Sequence, residues 1–155
     1  MLRHGIAEEH AADGSDAGRR LTEEGRSRLR RVLERANAAG VSPAQIISSP
    51  LRRALETAEI AARELGYMGK IVRSSALEPG SSPQQIWELI REHRHEESLL
   101  LAGHEPLFSA ATSYLLGSNR LLIHFRKGAL LRIDLEANSS TPDGVLQWML
   151  TAKVS

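Results

Sequence analysis

Along the chain, the spacing of apolar positions switches repeatedly between a helical and an extended period. The run LTEEGRSRLRRVLERANAAG places Leu29, Val32, Leu33 and Ala36 on one helical stripe. Thr22 is its predicted cap, Glu23 and Glu24 fill its first turn, and Gly40 stops it. QIISSP is a short β-branched run closed by Ser and Pro, which predicts a strand and a turn. LRRALETAEIAARELG follows as an amphipathic helix, with Leu51, Ala54, Leu55, Ala58 and Ala62 assigned to its apolar face and Gly66 at its end. The alternation recurs: KIVRS reads as a strand, and SPQQIWELIREHR as a helix capped by Ser82 with Pro83 in its first turn. SLLLAGHEP and LFSAATSYLLG supply the next strand and helix.

Strands alternating with helices of this length predict a mostly parallel sheet covered on both faces. SLLLA is apolar nearly throughout, as a central strand should be. The tail breaks the alternation. LLIHF, ALLRIDLE and GVLQWMLTAK are strand-like without intervening helices, which predicts antiparallel edge strands, with NSSTPDG as a hairpin turn. The expectation is one α/β domain over residues 1–155.

Composition narrows the function classes. Hydrophobic residues make up 41% and charged residues 25%, as in ordinary globular proteins. Lys and Arg number 20 against 19 Asp and Glu, a net charge of +1, which argues against broad capture of nucleic acid or an anionic membrane. Any anion site must be local. Cysteine is absent, which removes disulfides, thiolate metal sites and a cysteine nucleophile together. No membrane span or signal segment is visible, so the expected compartment is the cytoplasm. Arg19, Arg20, Arg26, Arg28, Arg30 and Arg31 are interspersed with acids and read as the solvated face of the first helix, not as a nucleic-acid surface.

Chemistry concentrates near the predicted strand ends. Arg3 is a permanent cation whose planar fork suits phosphate, and His4 beside it titrates near neutrality. In open α/β sheets ligands bind beyond the carboxyl ends of the strands. LRHG closes the first strand, SSPLRRA follows the second, LEPG the third and AGHEP the fourth, so Arg3, His4, Arg53, Glu78 and His104 are expected to share one pocket. The loop EEHAADGSDAG, rich in small and acidic residues, is expected to lie over it.

LRHG, SSPLRRALETA and AGHEP in this order resemble the histidine phosphatase (phosphoglycerate mutase-like) superfamily. RRLTEEG, LEPG, GHEP and FRKGALLRIDL make the chain most similar to its SixA-type phosphohistidine phosphatases, and the resemblance spans nearly the whole chain. It implies a three-layer α/β/α sandwich with a mostly parallel central sheet and antiparallel C-terminal edge strands. It also implies catalysis without metal or cofactor, with His4 as the nucleophile that becomes a phosphohistidine. Arg3 and Arg53 correspond to the two phosphate-binding arginines, and His104 to the second histidine, which donates to the phosphoryl group. Larger relatives place an acid after the third strand, where Glu78 stands here with a different spacing; it is either a general acid or a surface carboxylate.

The substrate so implied is a protein phosphohistidine, a histidine phosphotransfer domain being one such carrier. A small phosphorylated metabolite, or phosphate binding without turnover, is the alternative. Relatives carry several residues before RHG that form most of the first strand, whereas only Met1 and Leu2 precede it here, so Arg3 and His4 are expected to be less firmly positioned. Arg52 reads as a solvated charge, and Arg19, Thr22 and Lys127 recur in the SixA-type pattern in roles that capping and ion pairs explain. His10, His93 and His95 are expected to face solvent, with His93 and His95 on different faces of one helix, and His124 to be half-buried in a strand.

Overall fold

The computed structural model describes residues 1–153. Its elements run β1 (Leu2–Arg3), α1 (Glu23–Ala38), β2 (Gln45–Ser48), α2 (Arg52–Glu64), β3 (Val72–Arg73), a 3₁₀ turn (Ser75–Leu77), α3 (Pro83–Glu92), β4 (Leu99–Gly103), α4 (Leu107–Leu115), β5 (Leu130–Asp134) and β6 (Val145–Leu150). The strands form one sheet in the order β3-β2-β4-β1-β5-β6. The first four are parallel, with Leu2 beside Ala102 and Ile47 beside Leu101, while β5 and β6 run antiparallel at one side.

Side-chain alternation divides the core into two layers. Ile46, Leu100, Ala102 and Leu130 face α1 and α2 and meet Leu29, Val32, Leu33, Ala58 and Ala61. Their neighbours Ile47, Leu101 and Leu131 face α3 and α4 and meet Ile86, Ile90, Phe108 and Ala111. The result is a three-layer α/β/α sandwich, as the pattern predicts. Both expected caps form: Thr22 Oγ1 accepts from Gly25 N, and Ser82 makes a capping box with Gln85.

Four local expectations fail. LLIHF is irregular because its carbonyls serve side chains: Phe125 O accepts from Arg3 Nη1 at 2.6 Å, and Ile123 O from Ser109 Oγ at 3.1 Å. His124 is accordingly exposed and lies in no strand. The buried face of α2 is rotated from the expected one, comprising Arg53, Ala54, Thr57, Ala58, Ile60 and Ala61, with Leu51, Leu55 and Ala62 only half-buried. Two polar side chains are buried there because each finds a hydrogen-bond partner inside. α3 stops at Glu92, so His93 caps it through its Leu89 carbonyl contact and His95 lies beyond the helix. Their rings stack with centroids 6.2 Å apart, not on opposite faces.

Candidate active site

β1 is only two residues long, yet it lies between β4 and β5 and is tied on both sides. Arg3 N donates to Ala129 O at 3.0 Å and His4 N to Gly103 O at 2.9 Å, while Gly128 N donates to the carbonyls of Arg3 and His4. The expected loosening of this pair is not seen in its backbone contacts. His104 leaves the end of β4 beside it, and the two imidazoles lie with centroids 5.2 Å apart at a 54° tilt. Arg53 enters from the first turn of α2, directly after β2.

The imidazole of His4 is oriented by its neighbour. Nδ1 lies 2.7 Å from Gly5 O, which can only accept, so Nδ1 carries the proton and Nε2 keeps its lone pair. Gly5 is held in turn: its N donates to Thr57 Oγ1 at 3.2 Å, and that hydroxyl donates to Arg53 O at 2.7 Å. Burial pushes the His4 pKa down to about 4, helped by the nearby Arg53, Arg3 and Lys127 charges and opposed by the Gly5 contact. Burial, with His4 and Arg53 next in weight, pushes His104 down to about 3. Both rings are therefore neutral at pH 7.

Each arginine is gripped at the far end of its fork. Arg3 uses Nη1 on Phe125 O; Arg53 uses Nη1 on Asp16 O at 3.0 Å and Nη2 on Asp16 Oδ2 at 3.2 Å. Asp16 belongs to the loop expected to cover the pocket, and this contact ties that loop to Arg53. The Nε atoms of both arginines are buried without a partner, and so is His104 Nδ1. Buried polar nitrogens are almost always paired, so these three, with the Arg3 and Arg53 charges close enough to act on His4, make a cradle suited to a tetrahedral anion.

Ser49 completes the arrangement. Its N donates to Ala102 O at 2.9 Å, and its Oγ lies 2.8 Å from His104 Nε2, with both side chains buried. Because Ser49 Oγ already accepts from Leu51 N at 3.3 Å, its own proton is free for Nε2. When that proton is given to Nε2, His104 carries its own hydrogen on Nδ1, the atom with no partner. Ser49, Thr57 and Asp16 were not singled out from sequence, although SSPLRRALETA contains the first two.

Glu78 makes no hydrogen bond to this group among the described residues, although the preceding Leu77 packs against Gly103, the neighbour of His104. It follows the 3₁₀ turn, is half-buried, and its carboxylate has no hydrogen-bond partner among the described residues. Arg52 is exposed and pairs with Glu56 at 3.2 Å. A cleft of about 390 Å³ is lined by Arg3 and Lys127 but not by His4, Arg53, Glu78 or His104. A larger one of about 530 Å³ lies at the opposite end of the sheet and contains none of the five candidate residues, so chemistry and not volume locates the site. No helix among the described residues is long and apolar enough to cross a membrane.

A protein from Picosynechococcus sp., itself uncharacterized, is 36% identical over 107 residues, which cover 68% of this chain and 65% of that relative's length. Among solved structures, the protein histidine phosphatase SixA complexed with tungstate superposes with a TM-score of 0.86 at 23% identity, covering 97% of this chain and 94% of that one. Mycobacterial glucosyl-3-phosphoglycerate phosphatase superposes with a TM-score of 0.73 at 18% identity, covering 95% of each chain. At such identities these likenesses carry the fold. Residues 1–78, the half that includes Arg3, His4 and Arg53, match the histidine phosphatase superfamily (branch 1), and the chain belongs to that superfamily.

Proposed function

We propose that this chain works as one histidine phosphatase domain that removes phosphate from a protein phosphohistidine through a covalent phospho-His4 intermediate. The observation that carries the reading is the set of three unpartnered buried nitrogens, Arg3 Nε, Arg53 Nε and His104 Nδ1, near an imidazole whose Nδ1 is already engaged. An incoming phosphoryl group accepts from those nitrogens. His4 Nε2 forms its bond to phosphorus as the bond from phosphorus to the substrate's imidazole nitrogen breaks. The nitrogen leaves with the bonding pair and takes a proton, for which Glu78 or solvent is the source. Water then attacks the phosphorus of phospho-His4, releases inorganic phosphate and restores neutral His4. Positioning and fixed donors supply most of the rate in phosphoryl transfer, and the anchoring of Arg3 on Phe125 and of Arg53 on Asp16 supports such a role for both.

A neighbour that acts on glucosyl-3-phosphoglycerate shares this fold, which supports a small phosphorylated metabolite as a second reading. One assay separates them. Phosphate release is measured in EDTA from a histidine-phosphorylated carrier protein and from a minimal phosphoester, with the parent chain and with His4→Ala. The expected result is multiple turnover on the carrier, lost in His4→Ala. Equal release by the variant overturns the nucleophile, and turnover confined to the phosphoester overturns the substrate.

A further inference from the structure

Positive and negative side chains are almost equal in number over the whole sequence, yet they are not evenly distributed around the candidate site. The cleft that Arg3 lines is lined also by Arg28, His124, Arg126, Lys127 and Lys153, and by no Asp or Glu among the described residues. Arg28 is partly neutralised by an ion pair with Glu24. Arg126 and Lys127 are exposed and have no ion-pair partner among the described residues; Lys153 is exposed on the far wall. Grouping unpaired like charges costs free energy through self-repulsion, which an anionic ligand relieves. Arg3 lines this cleft and its Nε belongs to the cradle, so cleft and cradle meet at that side chain.

We propose that the cleft is a docking surface for the acidic face of a phosphorylated carrier protein, with carboxylates flanking the phosphohistidine lying against Arg126, Lys127 and Lys153. This rests on the phosphohistidine reading above. The choice of a protein over a small acid follows from exposure. Small-molecule sites enclose most of their ligand, whereas these cations stand in solvent on long side chains, an arrangement that steers and orients a large charged partner. Nothing in the phosphoryl-transfer step itself requires Arg126 or Lys153, so the surface can be tested without touching the cradle.

The test compares the parent chain with the double variant Arg126→Glu, Lys153→Glu. KM and Kd are measured for an acidic, histidine-phosphorylated carrier at low and moderate salt, and turnover is measured on phosphoramidate, which has no protein surface. The expected result is a rise of about tenfold or more in carrier KM and Kd, a weaker salt dependence, and unchanged phosphoramidate turnover. Unchanged turnover also shows that the variant is folded. Equal KM and Kd in both proteins overturn the proposal. So does an equal loss on phosphoramidate, which assigns the charges to the cradle, or RNA binding as tight as carrier binding with the same charge dependence. Carrier binding that depends on these charges but is followed by no turnover sustains the docking surface and overturns the phosphatase reading instead.

Discussion

The Ser49 hydroxyl lies 2.8 Å from Nε2 of His104, fully buried, and when it donates there Nδ1 carries the neutral ring's hydrogen. A His104 without that contact can place its proton on either nitrogen, and only one tautomer donates to a phosphoryl oxygen. Ser49→Ala is expected to lower kcat by about tenfold to a hundredfold with a smaller change in KM, and Ser49→Thr to restore most of it. Nitrogen NMR of the His104 ring distinguishes this from a packing defect, because the protonated nitrogen should change in Ser49→Ala. An unchanged tautomer with reduced kcat assigns the loss to packing.

Arg53 is held by two bonds from one guanidinium to Asp16 while its Nε has no partner. A lysine keeps the charge but cannot span the carbonyl, the carboxylate and the cradle together. Arg53→Lys is therefore expected to lower kcat/KM by about a hundredfold and to weaken inorganic phosphate binding in calorimetric titration. Near-parent values in that variant mean that charge alone suffices.

His4 and His104 are buried and neutral, with pKa values lowered to about 4 and about 3 from an ordinary value of 6.5. Between pH 6.5 and the folded values, the unfolded chain binds protons that the folded chain does not, so stability rises with pH in that window and is lost as pH falls through it. Well above 6.5, where the unfolded rings are neutral too, neither ring adds pH dependence. From pH 7 to pH 5, where most carboxylates are still ionised, Tm by circular dichroism should fall. His4→Gln and His104→Gln should each flatten that slope, and a slope unchanged in both variants places the protonation elsewhere.

The parts of the fold that were legible in sequence are those decided locally. The stripe Leu29, Val32, Leu33 and Ala36 needs only a period of 3.6, and Ser82 with Pro83 needs only cap chemistry. The convergence of Arg3, His4, Arg53 and His104 was legible because parallel strands deliver their following residues to one edge. What lay hidden depends on distant partners. LLIHF has strand-like residues, but Arg3 and Ser109 take its carbonyls. The buried face of α2 departs from its apolar periodicity because burial of Arg53 and Thr57 requires Asp16 and Gly5, which no periodicity announces. Ser49 sits inside SSPLRRALETA, but its role depends on His104, 55 residues further along the chain.

Gly25 links helix stability to the candidate nucleophile. It lies in the first turn of α1, where an added Cβ would stand 2.2 Å from Ile6 O and 2.9 Å from Ile6 N. That carbonyl already accepts from Thr22 N at 2.9 Å, so it is pinned by the same turn that would push it. Alanine ordinarily gains about 1 kcal/mol over glycine in a helix. Here the clash is with backbone, and overpacking of this kind costs about 1 to 3 kcal/mol, so the steric term wins. Gly25→Ala is expected to lower stability in urea titration. Ile6 follows Gly5, whose carbonyl holds His4 Nδ1, so the relaxation that relieves the clash also turns the imidazole. Turnover measured on the folded fraction should fall as well. A variant as stable and as active as the parent would show that the β1 exit moves without consequence for His4.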